Sequence, residues 1–132
     1  MQIKTFRGRA AFTLVEIMIV VAIIGLLAAI AVPNFVRARE TTQLNSIYNN
    51  LRLVDGFKEQ WALENRKPST ATPTHEDLAP YFKNRKFPAP VVGETYELGS
   101  VNESSRASLP PNVTLTGLPG PFTSEGPVNS DF

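Results

Sequence analysis

The chain has 132 residues and a formal net charge of +1, from 13 basic and 12 acidic side chains. That length holds one small domain beside a membrane segment, and the near-balance of charge argues against bulk nucleic-acid binding or an acidic-substrate surface. Cysteine is absent, which excludes a disulfide framework, thiolate metal sites and thiol catalysis. Residues 1–11, MQIKTFRGRAA, carry Lys4, Arg7 and Arg9 and no acid. Basic residues ahead of a first membrane segment favour a cytoplasmic N-terminus and a translocated C-terminus. Phe12–Val32 then runs apolar for 21 residues, broken by one charge, Glu16. An α-helix of that length crosses the hydrocarbon core of a bilayer. A carboxylate near the bilayer centre costs at least ~2.5–3.5 kcal/mol, and less near an end. Glu16 is therefore expected either to snorkel or to meet a cation on another copy or on the chain's own cut N-terminus. Ala22, Gly25, Ala28, Ala29 and Ala31 would let neighbouring helices approach closely. Pro33 removes a helical hydrogen bond, so a kink or local melting is expected there.

From Asn34 the pattern becomes amphipathic. Leu44, Ile47, Tyr48, Leu51, Val54, Phe57 and Trp61 recur in steps of three and four, one buried helical stripe. Arg37, Arg39, Glu40, Gln43, Asn45, Asn49, Arg52, Asp55 and Lys58 are assigned to the solvent side. One helix is predicted from about Phe12 to Asn65, with 12–33 apolar and 34–65 packing a globular head over 66–132. Arg66–Thr74 is Pro/Ser/Thr-rich and reads as a loop. Thr74 with Asp77 three residues on makes a capping-box-like start for a short helix, which Pro80 limits. The single histidine, His75, stands in that first turn without a catalytic companion. Strands are predicted over Glu94–Val101 and Asn112–Gly117, with Val91-Val92 a weaker third, while Asn102–Pro111 and Leu118–Phe132 read as loops. The fold class is α+β: a long N-terminal helix packed on a small antiparallel sheet.

No phosphate loop, nucleophile elbow, paired-His zinc motif or EF-hand loop occurs, and no catalytic, metal or cofactor site is expected. Ala29-Ile30-Ala31 offers an A-x-A processing pattern, so a secreted domain released after Ala31 is one alternative. A membrane-anchored, non-polymerising binding module is another.

Ala11-Phe12-Thr13-Leu14-Val15-Glu16, followed by the apolar run and Pro33, resembles the processing and assembly motif of the type IV pilin superfamily. In that family a basic leader is cut just before a Phe, whose new amine is methylated. A Glu four residues later and a Pro 21 residues later are characteristic, and Glu16 and Pro33 match both. The residue before the cut is usually Gly, where this chain has Ala11. The resemblance implies cleavage between Ala11 and Phe12 by a prepilin peptidase that also methylates Phe12. It further implies Glu16 setting the assembly register, and Pro33 marking the bend of the helix. The implied product is a structural filament subunit of a type IV pilus or a type II secretion pseudopilus. Its implied partners are other copies or related pilins, an inner-membrane assembly platform and membrane lipid. The implied location is the bacterial inner membrane, crossed once with the head extracytoplasmic, then a periplasmic or surface filament. Major pseudopilins carry a calcium loop near the C-terminus; the matching tail here offers Glu125 and Asp131, too sparse to claim such a site, and calcium binding by the head stays open.

Overall fold

The computed structural model describes residues 1–3, 11–116 and 120–128. The basic leader residues Lys4, Arg7 and Arg9 and the tail residue Asp131 lie outside the described residues. The chain divides into two compact units, Met1–Val36 and Arg37–Phe132. Helix α1, Leu14–Glu64, runs for 51 residues and contributes to both. The predicted Phe12–Asn65 helix is thus correct to within two residues. Pro33 lies inside α1, which is helical on either side, so the isolated chain has no melted stretch there.

In the first unit α1 is apolar on every face and exposed, the signature of a helix whose surroundings are apolar rather than aqueous. Its most apolar 18-residue window has a mean hydropathy of 2.9 with none of it buried. The second unit is a small α+β domain. There the α1 residues Leu44, Ile47, Leu51, Val54, Trp61 and Ala62 are buried, with Tyr48 and Phe57 half-buried beside them. The predicted stripe is therefore the buried face, with one correction. Lys58, assigned to solvent, is completely buried. The spacing 51, 54, 58, 61 places it squarely on the stripe.

α1 ends in a Schellman arrangement: Lys67 N–H donates to Ala62 O at 2.9 Å and Arg66 N–H to Leu63 O at 3.4 Å. Arg66 takes the left-handed conformation (φ 51°) that glycine usually supplies at this position. The loop 65–74 follows, then α2, His75–Leu78, closed by the anticipated capping box of Thr74 and Asp77. Pro80 sits in a 3-10 helix, Ala79–Tyr81, that continues it.

The sheet is antiparallel in the order β1 (Thr95–Glu97), β2 (Arg106–Ser108), β3 (Phe122–Thr123), β4 (Gly126–Pro127). Only β1 lies within a predicted strand, and at three residues it is far shorter than Glu94–Val101. β2 falls in a segment expected to be a loop, and β3–β4 in the expected loop-rich tail. Of the predicted strand Asn112–Gly117, the described residues 112–116 form only an isolated bridge at Leu115. Pro110 and Pro111 precede it, Val113 N–H closes a turn onto Pro110 O, and Thr116 is left-handed at φ 52°. Val91-Val92 forms a bend instead of a strand.

Register places Tyr96 opposite Ala107, and Ala107 opposite Phe122. This buried row shares a core with Leu44, Ile47, Leu51 and Leu115, with Tyr48 edge-on to Phe122 at 5.8 Å. A second core gathers Val54, Trp61, Ala62, Leu78, Phe82 and Leu98, and Phe87 packs against both.

Candidate functional site

Each residue of the predicted processing and assembly site falls in the first unit, at or within α1. Ala11, Phe12 and Thr13 are non-helical and exposed, and the helix begins at Leu14. The Ala11–Phe12 bond therefore lies in exposed backbone free of helical hydrogen bonds, as attack by a peptidase requires. Phe12 is 82% exposed. Ala31, the alternative processing point, is in the interior of α1.

Glu16 has a partner that neither snorkelling nor pairing in trans anticipates. Thr13 N–H donates to its Oε2 at 3.0 Å, while Glu16 N–H donates to Thr13 Oγ1 at 3.2 Å. This reciprocal pair is a capping box, which satisfies two backbone donors that the start of a helix leaves open. It also sets the carboxylate against the positive end of the helix dipole. The signal was present as Thr-x-x-Glu at 13–16, the same spacing that located α2, but the apolar run masked it.

From Ile17 to Val32 the surface of α1 carries only aliphatic side chains, Met18, Ala and Gly25, and offers a partner no polar side chain. Ile17, Val20, Ile23, Ile24, Leu27 and Ile30 are all at least half exposed, and a side chain added at Gly25 would meet only open space. Such a surface is stable only in lipid or against other apolar helices. With one acidic group at its head, it can insert and it can pack.

In the second unit, titratable groups are tied into structure. Tyr81 Oη donates to Glu64 Oε2 at 2.6 Å, which holds the Glu64 carboxyl below its usual range. The buried Glu94 accepts from Val91 N–H, Val92 N–H and Tyr96 Oη. His75 stacks edge-on to Phe87 at 4.4 Å and is exposed. Sequence reasoning missed Asp55 and Lys58, whose side chains gather the loop between β1 and β2.

The family model of the prokaryotic N-terminal methylation motif matches residues 6–32. The type IV major pilin of Myxococcus xanthus is 47% identical over 53 residues, 39% of this chain and 24% of that protein. Core protein G of the Klebsiella pneumoniae type II secretion system is 28% identical over 111 residues, 74% of this chain and 79% of that protein. The type IV major pilin of Neisseria gonorrhoeae is 30% identical over 102 residues, 70% of this chain and 55% of that protein. The chain thus spans about a quarter and about half of the two pilins, but most of the core protein. No solved structure matches it significantly. Residues 6–32 match the prokaryotic N-terminal methylation motif, and the chain is similar to type IV pilins and to the type II secretion core protein G.

Proposed function

We propose that the chain is a structural subunit of a type IV pilus-like or type II secretion pseudopilus filament, polymerised through the apolar half of α1. The carrying observation is that an unprotected apolar helix begins three residues after Ala11, with the methylation motif laid across the junction. A prepilin peptidase releases the basic leader between Ala11 and Phe12 and the new Phe12 amine is methylated. Subunits wait in the inner membrane, heads extracytoplasmic, with the apolar helix in lipid. An assembly platform withdraws them, and their helices pack together with Pro33 taking up the bend.

Glu16 sets the register in this scheme. Its capping contacts use its own Thr13, and the carboxylate has lone pairs left for a cation. In a low-dielectric helix bundle an unpaired carboxylate is costly, so packing selects the stagger that brings the Phe12 amine of a neighbour to it. The expected result for Glu16→Ala is normal membrane insertion with filaments absent or disordered, scored by electron microscopy and fractionation. Normal filaments from that variant would refute the register role. Intact mass and N-terminal sequencing of membrane-extracted protein should show a methylated Phe12. A start at Met1 would leave only a membrane anchor, and a start at Val32 a secreted domain.

A further inference from the structure

Lys58 is the largest fully buried side chain among the described residues, and its charge is surrounded by oxygen. Its Nζ donates to Leu98 O at 2.6 Å, Glu103 O at 2.6 Å and Ser105 Oγ at 3.1 Å. Those three bonds use all the donors of an ammonium group. Asp55 Oδ1 lies 3.4 Å away. The same carboxylate accepts from Ser105 N–H at 2.8 Å and from Ser124 Oγ at 2.7 Å. The loop 98–105, between β1 and β2, thus turns two main-chain carbonyls and a hydroxyl inward onto one positive charge. Hard cations are held by this ligand set of carbonyl, hydroxyl and carboxylate oxygens. One carboxylate in the cage gives a formal charge of −1, which a monovalent ion neutralises.

We propose that the loop 98–105 encloses a monovalent-cation site that the chain fills with its own Lys58 ammonium, and that the emptied cage takes up a free ammonium-type ion. The outer side of the loop is an open groove of about 490 Å³ lined by Glu97, Gly99, Glu103, Ser104, Arg106 and Thr123. The cation at position 58 therefore fixes the surface that the groove presents. Because the ion is covalently attached, the loop stays ordered without any metal in the medium. A free metal ion would be lost under chelation, whereas a lysine is not.

The test is Lys58→Ala in the full chain in detergent micelles, with propylammonium chloride as the probe. Propylammonium replaces the atoms that the substitution removes. Propan-1-ol supplies the same three carbons without charge, and sodium chloride controls for ionic strength. The variant should lose about 10 °C or more in Tm, and propylammonium should restore a larger part of it than either control. Equal recovery with propan-1-ol would overturn the proposal, since the side chain would then act by packing alone. EDTA should leave the wild-type Tm unchanged, and a fall on chelation would overturn it as well. If Lys58→Ala fails to fold, Lys58→Met keeps the length and removes the charge. Amide exchange in that variant should quicken about tenfold or more over residues 99–105 while the α1 core amides stay protected. Unchanged protection of those loop amides would likewise refute the proposal.

Discussion

Glu94 and Tyr96 meet at 2.6 Å inside the head, and together they set its response to pH from both sides. Burial acts to raise the Glu94 carboxyl, but donors from Tyr96, Val92 and Val91 outweigh it and hold the group below its ordinary value of 4.5. A depressed carboxyl stabilises the fold above its unfolded-state value, and this is lost as pH falls through the folded-state value. Burial and then the Glu94 contact push the Tyr96 hydroxyl upward from 10.0. That contribution is complete below the unfolded-state value and is lost as pH rises through the raised one. Thermal melts between pH 3 and 7 should show a falling Tm below about pH 4.5 for the wild type. Glu94→Gln should melt lower at pH 7, by about 1–3 kcal/mol for donors left unmatched, with a flatter acid limb. Neither residue was legible as a pair, because two Val amides and an Asn50 amide from α1 complete the network only after folding. Lys58 was misread for a related reason: a lysine on a stripe is normally taken as solvated, and the oxygens that receive it come from 40 or more residues away.

Elements with local signals were legible. The helix showed itself through sustained three- and four-residue spacing, and α2 through Thr74 and Asp77 alone. Thr74 Oγ1 accepts from Asp77 N–H at 3.2 Å, and Thr74 N–H donates to Asp77 Oδ2 at 2.8 Å. Thr74→Ala should therefore cost about 1 kcal/mol, read by urea unfolding. The strands were not legible. β2 is Arg106-Ala107-Ser108 with only the small Ala107 facing the core, and β3 and β4 have two residues each. Segments so short carry no alternation. Asn112–Gly117 alternates convincingly, yet a turn and a left-handed Thr116 reduce its described residues to an isolated bridge at Leu115. Among the described residues of that segment, Leu115 alone is buried.

At the scale of the molecule, the two units depend on different surroundings. Arg37–Phe132 buries its own core, whereas Met1–Val36 exposes its apolar side chains. A fragment beginning at Arg37 should remain in aqueous solution, while the full chain should partition with membranes in a flotation gradient. Phe122, at the end of the Tyr96–Ala107–Phe122 row, is the largest fully buried apolar side chain of that core among the described residues. Phe122→Ala should cost about 3–5 kcal/mol, seen as a lowered denaturation midpoint with an unchanged m-value. The apolar run up to Val32 and the amphipathic stripe after Asn34 were readable from the sequence. What the head's groove presents was not, since its walls come from β1, β2, β3 and the loop that Lys58 organises.

The outermost strands of the sheet, β1 and β4, have three and two residues, and β4 ends in Pro127, which has no N–H to give. An incoming strand would find one or two rungs of backbone pairing there and then a missing donor. Edge-to-edge pairing through the described sheet is thereby limited to a rung or two. Copies brought side by side at high local concentration would therefore meet through side chains and not through the edges of the described sheet.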